Sequence, residues 1–296
     1  MPISTATEAL YASPAFLFLV TATLGLCIGS FLNVVVYRLP ITLQREWKTD
    51  CCSLLEITPP TADDKPKTFN LLFPNSHCPN CNHQIRLWEN IPVLSYLLLK
   101  GKCSGCKKPI SIRYPLVELA TGLLSVLVVY LLGFTLQGGL ALVLTWSLIA
   151  LTLIDIDTQL LPDNITLPLM WLGLIVNYFG AYTSLEDALW GAIVGYLAIW
   201  SVFWLFKIVT GKEGMGYGDF KLLAALGAWM GWQVLPQIII LSSLVGAVIG
   251  IAGILIMGKD KNIPIPFGPY LAIAGWIALL WGQEISRWYL EFSGLA

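Results

Sequence analysis

Eight long apolar stretches, separated by polar segments, make up more than half of the sequence. The first covers residues 14–36 and is followed by Tyr37-Arg38-Leu39-Pro40, which predicts an interfacial anchor and the end of a helix. The other seven cover about residues 115–134, 138–156, 163–181, 187–209, 219–232, 234–257 and 267–285. All but the short stretch at 219–232 have the length of a helix that crosses a hydrocarbon core of ~30 Å. The pattern predicts an all-α polytopic membrane protein with about eight transmembrane helices.

One long polar segment interrupts this pattern between the first two apolar stretches. It holds eleven of the seventeen lysines and arginines; its first half, about residues 41–70, is irregular, and its second half contains paired cysteines. We therefore expect three parts. These are an N-terminal transmembrane helix at residues 1–36, a cytoplasmic zinc-binding domain at 37–114, and a membrane-embedded domain of about seven helices at 115–296.

The composition agrees with a membrane protein. The chain of 296 residues is 56% hydrophobic and 12% charged, whereas a soluble domain has about 25% charged residues. Membrane lipid is thus an expected partner. The formal net charge of −1 gives no indication of nucleic-acid binding. Residues 1–13 contain no lysine or arginine, so we expect the first apolar stretch to be a retained helix rather than a cleaved signal.

The basic residues predict an orientation. If the N-terminus lies outside, the loops at 37–115, 207–218 and 258–266 face the cytoplasm. Together with Lys221, those loops hold sixteen of the seventeen lysines and arginines. Positive residues accumulate on the cytoplasmic side, so we expect both termini on the opposite side. This orientation also requires the short stretch at 219–232 to cross the membrane.

Four of the seven cysteines form two CxxC pairs within the polar segment: Cys78 and Cys81, Cys103 and Cys106. Each pair can hold one side of a tetrahedral zinc ion, as in a zinc ribbon, with Gly105 supplying a turn. Four thiolates close the coordination shell, so we expect a structural rather than a catalytic zinc. On this interpretation His77 and His83 are not ligands. The remaining cysteines have no assigned role: Cys27, Cys51 and Cys52.

A glycine-rich turn at residues 214–221 places Asp219 at the start of an apolar helix. Three glycines in five residues, including Gly216 and Gly218, cannot form a stable helix. In the predicted orientation the turn after Asp155 faces the same side of the membrane as Asp219. Two carboxylates that share a site do not both ionise easily. Such a pair can activate a water with one group and donate a proton with the other.

Three other acidic residues lie near predicted helix ends. Asp157 and Asp163 are interpreted as helix-end residues, Asp163 because it follows Pro162 at a helix start. Glu118 is placed in the first turn of the second apolar helix, where a carboxylate suits the helix dipole. An equally good alternative is that Glu118 is buried and binds a substrate amine.

These elements, in this order, resemble the type IV prepilin peptidases, a family of bifunctional leader peptidases and N-methyltransferases. The resemblance covers nearly the whole chain and rests on these segments: Gly29-Ser30-Phe31-Leu32-Asn33, Tyr37-Arg38-Leu39-Pro40, the two CxxC pairs, Arg113-Tyr114-Pro115-Leu116-Val117-Glu118, the Asp155 turn and Gly216-Tyr217-Gly218-Asp219.

The resemblance implies an aspartyl protease of the GxGD type, with Asp155 and Asp219 matching the catalytic pair. It implies that prepilins and type II secretion pseudopilins are cut after a glycine, and that the new N-terminal residue, usually Phe, is methylated from S-adenosylmethionine. It further implies the bacterial inner membrane, a cytoplasmic active site and periplasmic termini. No nucleotide-binding fingerprint is visible in the sequence, and we place the S-adenosylmethionine site in the cytoplasmic domain.

Two other classes of protein share some of these features. A proton-coupled transporter could use paired carboxylates as a relay, but it more often has inverted repeats, and none is visible. A zinc-stabilised membrane scaffold would explain the cysteines and leave Asp155 and Asp219 unexplained.

Overall fold

The computed structural model describes residues 13–57, 69–212, 214–257 and 266–293. The chain divides into two compact units, with the division between Phe134 and Thr135. We call them the N-terminal unit and the C-terminal unit.

Two long helices form the frame of the N-terminal unit: α1, Pro14–Leu54, and α2, Arg113–Leu132. They pack along a seam of small residues, which includes Gly25 and Gly29 on α1 and Gly122 and Ser125 on α2. Small residues let two apolar helices approach closely, and this packing is typical of membrane helices.

The sequence predicts that α1 ends at Pro40, but the helix continues through Pro40 to Leu54. A proline removes one backbone hydrogen bond, yet the residues after it, such as Leu43 and Arg45, are good helix formers. Contacts with Phe69 also stabilise the part of α1 around and beyond Pro40. The guanidinium groups of Arg38 and Arg45, two turns apart, lie 5.7 and 5.0 Å from the ring centre of Phe69.

The segment from residue 69 to 112 has little regular structure. It contains a 3₁₀ turn at Leu87–Asn90, one helical turn at Leu94–Leu98 and two isolated β-bridges. Between residues 69 and 112, Cys103 is the only fully buried residue. Hydrophobic burial therefore cannot be what orders this segment.

The C-terminal unit consists of six helices in the part of the chain that the structure describes. They are α3, Leu136–Thr158; α4, Asp163–Tyr178; α5, Leu185–Thr210; α6, Tyr217–Met230; α7, Leu235–Met257; and α8, Gly268–Ser293.

Helix α6 is the shortest of these six and lies at the centre of the unit. Ten of its fourteen residues are buried. Its far end is fixed by Asn177, whose side-chain amide donates to the carbonyls of Ala228 and Trp229 at 2.8 and 2.9 Å. The Trp229 indole donates to the carbonyl of Leu169 at 2.8 Å. A helix that is apolar on all sides is stable when other helices surround it.

The prediction of a helical fold is confirmed, and each of the eight predicted apolar stretches corresponds to a helix. Within the described ranges, five helices are long and apolar enough to cross a membrane: α1, α2, α3, α5 and the stretch Trp232–Ala252. The number of crossings, the domain boundaries and the orientation stay predictions.

Candidate functional site

The four cysteines of the CxxC pairs lie together in the N-terminal unit. Their sulfur atoms are all within 4.8 Å of one another. Cys78 Sγ lies 3.8 Å from Cys106 Sγ, and Cys81 Sγ lies 3.9 Å from Cys103 Sγ. Zinc–sulfur bonds of about 2.3 Å in a tetrahedral site place the sulfurs about 3.8 Å apart. The donor set and its spacing therefore fit one zinc ion.

The two CxxC pairs have the same backbone geometry. In each, the first cysteine donates its N–H to a carbonyl five residues on, in the pairs Cys78–His83 and Cys103–Lys108. The residue after each second cysteine, Asn82 or Lys107, has a positive φ of 56° or 60°. These two residues, rather than Gly105, make the left-handed turns.

Two further features of this segment concern which side chains can be metal ligands. Backbone N–H groups of Asn80 and Cys81 lower the pKa of the Cys78 thiol to about 6. Despite the backbone N–H of His83, burial and the neighbouring thiols raise the pKa of Cys81 to about 11, so Cys78 is the thiol of this pair that more readily forms the thiolate that binds metal. His83 does not belong to the thiol cluster, because its ring contacts Glu89 at 3.1 Å and the Ser104 hydroxyl at 3.0 Å.

Glu89 is held in turn by the backbone. Its carboxylate accepts from the N–H of Arg86 at 2.9 Å. This hydrogen bond, helped by Ser104 and His83, lowers the pKa of Glu89 to about 2. The contacts of His83 with Glu89 and Ser104 therefore connect the turn of the first CxxC pair to that of the second without using a metal ligand.

A cavity of about 700 Å³ lies in the N-terminal unit, between α1, the cysteine segment and the start of α2. Its volume lies within the range of ligand pockets, roughly 300–1,000 Å³. Polar side chains along its wall include Ser30, Asn33, Arg38, Glu89, Ser104 and Glu118.

Glu118 is the buried acid of this cavity, with 8% of its surface exposed. It lies in the second turn of α2, not in the first turn as expected, so a helix-dipole role does not account for it. Its carboxylate accepts from the N–H of Val93 at 2.7 Å and lies close to the Ser30 hydroxyl. A Cβ at Gly29 would lie 2.7 Å from the Glu118 Cα, so glycine is what lets α1 approach here.

Val93 has a strained backbone. Its φ of 58° is a genuine outlier for a β-branched residue. The strain directs the Val93 N–H at Glu118, and such strain persists only where the surroundings impose it. We infer that the backbone around Val93 holds the Glu118 carboxylate in one position.

The second cluster lies in the C-terminal unit and contains Asp155 and Asp219. Asp155 is in the last turn of α3, and Asp219 is in the first turn of α6. Each is 5% exposed, and the two carboxylates are close enough to interact electrostatically. The structure thus brings together the two aspartates that the sequence singled out.

The turn before α6 holds Asp219 in place. The Asp219 carboxylate accepts from the N–H of Gly216 at 3.2 Å, which closes the turn over the helix start. Within the described part of the chain, Asp155 Oδ2 and Asp219 Oδ1 are buried and have no hydrogen-bond partner. A buried oxygen without a partner is costly, so the two unpartnered oxygens mark this pair as a candidate functional site.

Two further contacts join the elements that carry the aspartates. Lys221 Nζ lies 2.7 and 2.8 Å from the two carboxylate oxygens of Asp163, so the start of α6 is tied to the start of α4. Leu161 packs against Gly218, where an added Cβ would lie 2.6 Å from the Leu161 Cβ. Asp163 opens its helix as expected, but its ion pair was not predicted.

Comparison with known proteins gives two matching family models. Residues 23–132 match the bacterial peptidase A24 N-terminal domain, and residues 142–251 match the type IV leader peptidase family. The first match contains the cysteine cluster and Glu118, and the second contains both aspartates.

Three relatives that match over nearly their whole length have the same description. The chain is 60% identical to a prepilin leader peptidase/N-methyltransferase of Stutzerimonas stutzeri over 98% of this chain and 100% of the relative. It is 61% identical to the protein of that description in Pseudomonas aeruginosa, over 96% of this chain and 97% of the relative. A Legionella pneumophila relative is 47% identical over 94% and 96% of the two chains. No solved structure matches.

Proposed function

The chain belongs to the type IV leader peptidase family, and from this premise we propose that its two units divide two reactions between them. The protein cleaves the leader peptide of prepilins and N-methylates the new N-terminus. In our proposal Asp155 and Asp219 carry out the cleavage in the C-terminal unit, and the cavity beside Glu118 hosts the methyl transfer in the N-terminal unit.

The observation that carries the proteolytic assignment is the pair of buried, interacting carboxylates, each with one oxygen that has no hydrogen-bond partner among the described residues. In this scheme the ionised aspartate takes a proton from a water, which attacks the peptide carbonyl carbon. The protonated aspartate donates to the carbonyl oxygen. When the tetrahedral species collapses, the carbon–nitrogen bond breaks and a proton goes to the leaving amine. Gly216, which is exposed in the turn before α6, leaves room for an extended substrate.

Substitution of the two aspartates tests this assignment. Purified Asp155→Asn and Asp219→Asn proteins are expected to cleave prepilin at least about 1,000-fold more slowly, because asparagine keeps the shape but can neither accept nor donate the proton. Gel analysis of prepilin shortening in detergent measures the rate. Asp157→Asn is the matched control, since Asp157 is exposed on the same turn, and it should cleave within about twofold of the unchanged protein. Either active-site variant cleaving at nearly the normal rate would contradict the assignment.

The methyl-transfer assignment starts from the cavity in the N-terminal unit. Its volume and its mixture of charged and aromatic groups fit S-adenosylmethionine, which when bound supplies the methyl group. The chain's own contribution would be to hold the new N-terminal amine, for which the buried carboxylate of Glu118 is the matching group. The Val93 N–H fixes that carboxylate so that it meets the amine in one geometry.

In this scheme zinc orders the wall of the cavity. Cys78, Cys103 and their partners hold one structural ion, and Cys78 and Cys103 themselves line the cavity. So small a segment with almost no buried side chains needs a metal to fold.

The setting follows from the family and the apolar helices, which suggest an inner-membrane protein. We retain the finer expectations as part of the proposal. The active site faces the cytoplasm, both termini are periplasmic, about eight helices cross the membrane, and the substrates include type II secretion pseudopilins cut after glycine before Phe.

A further inference from the structure

The last helix contributes to the aspartate site in a way that the sequence did not indicate. Helix α8 begins at Gly268, which is buried against Asp155. A Cβ added to Gly268 would lie 2.6 Å from Asp155 Oδ2, closer than real Cβ atoms approach another heavy atom. The backbone amide of Gly268 faces the same carboxylate. A side chain at this position would therefore have to displace the Asp155 carboxylate.

We propose that Gly268 is a positioning residue of the protease site, whose missing side chain lets the N-terminal end of α8 close on the Asp155 carboxylate. Asp155 lies in the last turn of its own helix, where the dipole opposes a negative charge. The start of α8 supplies the opposite end of a helix dipole to that carboxylate. Asp219 has no such need, because Gly216 donates to it at the start of α6.

Leu161 joins these elements into one assembly. An added Cβ at Gly268 would lie 3.1 Å from both terminal methyl carbons of Leu161, and one at Gly218 would lie 2.6 Å from its Cβ. The buried leucine thus lies between two glycines, one at the start of α8 and one at the start of α6. A side chain at either glycine would displace the turn that follows Asp155.

This inference rests on the proposed catalytic role of Asp155, and the two can fail separately. Normal cleavage by Asp155→Asn would refute the catalytic role. An inactive Asp155→Asn protein beside a fully active Gly268→Ala protein would refute only the role of Gly268.

The test compares three alanine variants on one helix. Gly268→Ala is expected to lower kcat for prepilin cleavage by about ten- to hundredfold, because small displacements of a catalytic group have effects of that size. KM should change little, since the substrate-binding groups are intact. Gly282→Ala is the silent control, because its nearest neighbour is 3.7 Å away. Gly275→Ala is the packing control, because its Cβ meets Leu226 at 2.5 Å, two turns from the site.

Two measurements distinguish displacement of Asp155 from a general loss of structure. Zinc content and methylation of a peptide that already has the mature N-terminus should be unchanged in Gly268→Ala. The proposal is overturned if Gly268→Ala cleaves within twofold of the unchanged protein, or if Gly275→Ala loses as much kcat. It is also overturned if the loss in Gly268→Ala appears in KM alone.

A second variant covers the case in which Gly268→Ala does not accumulate. Leu161→Ala removes the leucine contact but not the contact with Asp155. Gly268→Ala/Leu161→Ala should therefore cleave at least tenfold more slowly than Leu161→Ala alone. Equal rates would show that crowding of the leucine, and not of Asp155, excludes a side chain at residue 268, and this result would refute the proposal.

Discussion

The two units of this protein hold their functional groups by different physical means. In the C-terminal unit Asp219 begins a helix of which ten of fourteen residues are buried, and packing with neighbouring helices fixes its position. In the N-terminal unit the segment from residue 69 to 112 buries only Cys103 fully. There the order comes from thiols, backbone turns and hydrogen bonds such as that from Val93 to Glu118.

This difference determines what each site tolerates. Closely packed helices lose geometry when a side chain is added, because the interior has no free volume. A loop-rich segment held by a metal loses its whole arrangement when the metal leaves. The protein should therefore respond to overpacking around Asp155 and Asp219 and to metal removal from the cysteine segment.

Glu118→Gln is the substitution that most sharply tests the hydrogen-bonded site. Glutamine still offers an oxygen to the Val93 N–H, so the local fold should persist while the negative charge is lost. Methylation of a peptide with the mature N-terminus should fall about ten- to hundredfold, the value of a hydrogen bond to a charged partner. Cleavage of prepilin should be unchanged.

The matched control is Glu46→Gln, an exposed acid on α1. It should leave both activities unchanged. Normal methylation by Glu118→Gln would mean that Glu118 only anchors the Val93 backbone, and that the amine is bound elsewhere.

A smaller effect is expected at the ion pair between Lys221 and Asp163, which lies beside the packed site. The pair is partly exposed, with 28% and 50% of the two side chains accessible. Exposed pairs contribute about 0.2–1 kcal/mol, so Lys221→Met should slow cleavage by no more than about fivefold. Lys212→Met, on the preceding loop, serves as the control.

Exchange of the two charges sharpens this measurement. The variant Asp163→Lys/Lys221→Asp should recover part of the rate lost in either single variant. If the exchanged pair is slower than both single variants, the ion pair does not align the start of α6 with the start of α4.

The sequence predicted the parts of both sites that short motifs encode. CxxC spacing predicted the thiol cluster, and the glycine-rich turn before an apolar stretch predicted the position of Asp219 at a helix start. Apolar stretches predicted the helices because their lengths and compositions are local properties.

Contacts between distant segments were missed, because periodicity carries no information about them. Nothing near Val93 indicated a positive φ, and nothing near Gly268 indicated a contact with Asp155, although Gly-Pro at a helix start is a visible signal. Pro40 was expected to end α1, but the helix-forming residues after it and the stacking of Arg38 and Arg45 on Phe69 favour continuation.

Loss of zinc is the most direct test of the division of labour between the two units. A Cys78→Ser/Cys103→Ser variant, shown by metal analysis to contain no zinc, is given prepilin and S-adenosylmethionine, and the mature pilin is weighed by mass spectrometry. We predict that the pilin is cleaved, at an unchanged or reduced rate, and that it carries no added methyl group. Fully methylated pilin from the zinc-free protein would contradict the account and place methyl transfer outside the metal-ordered segment.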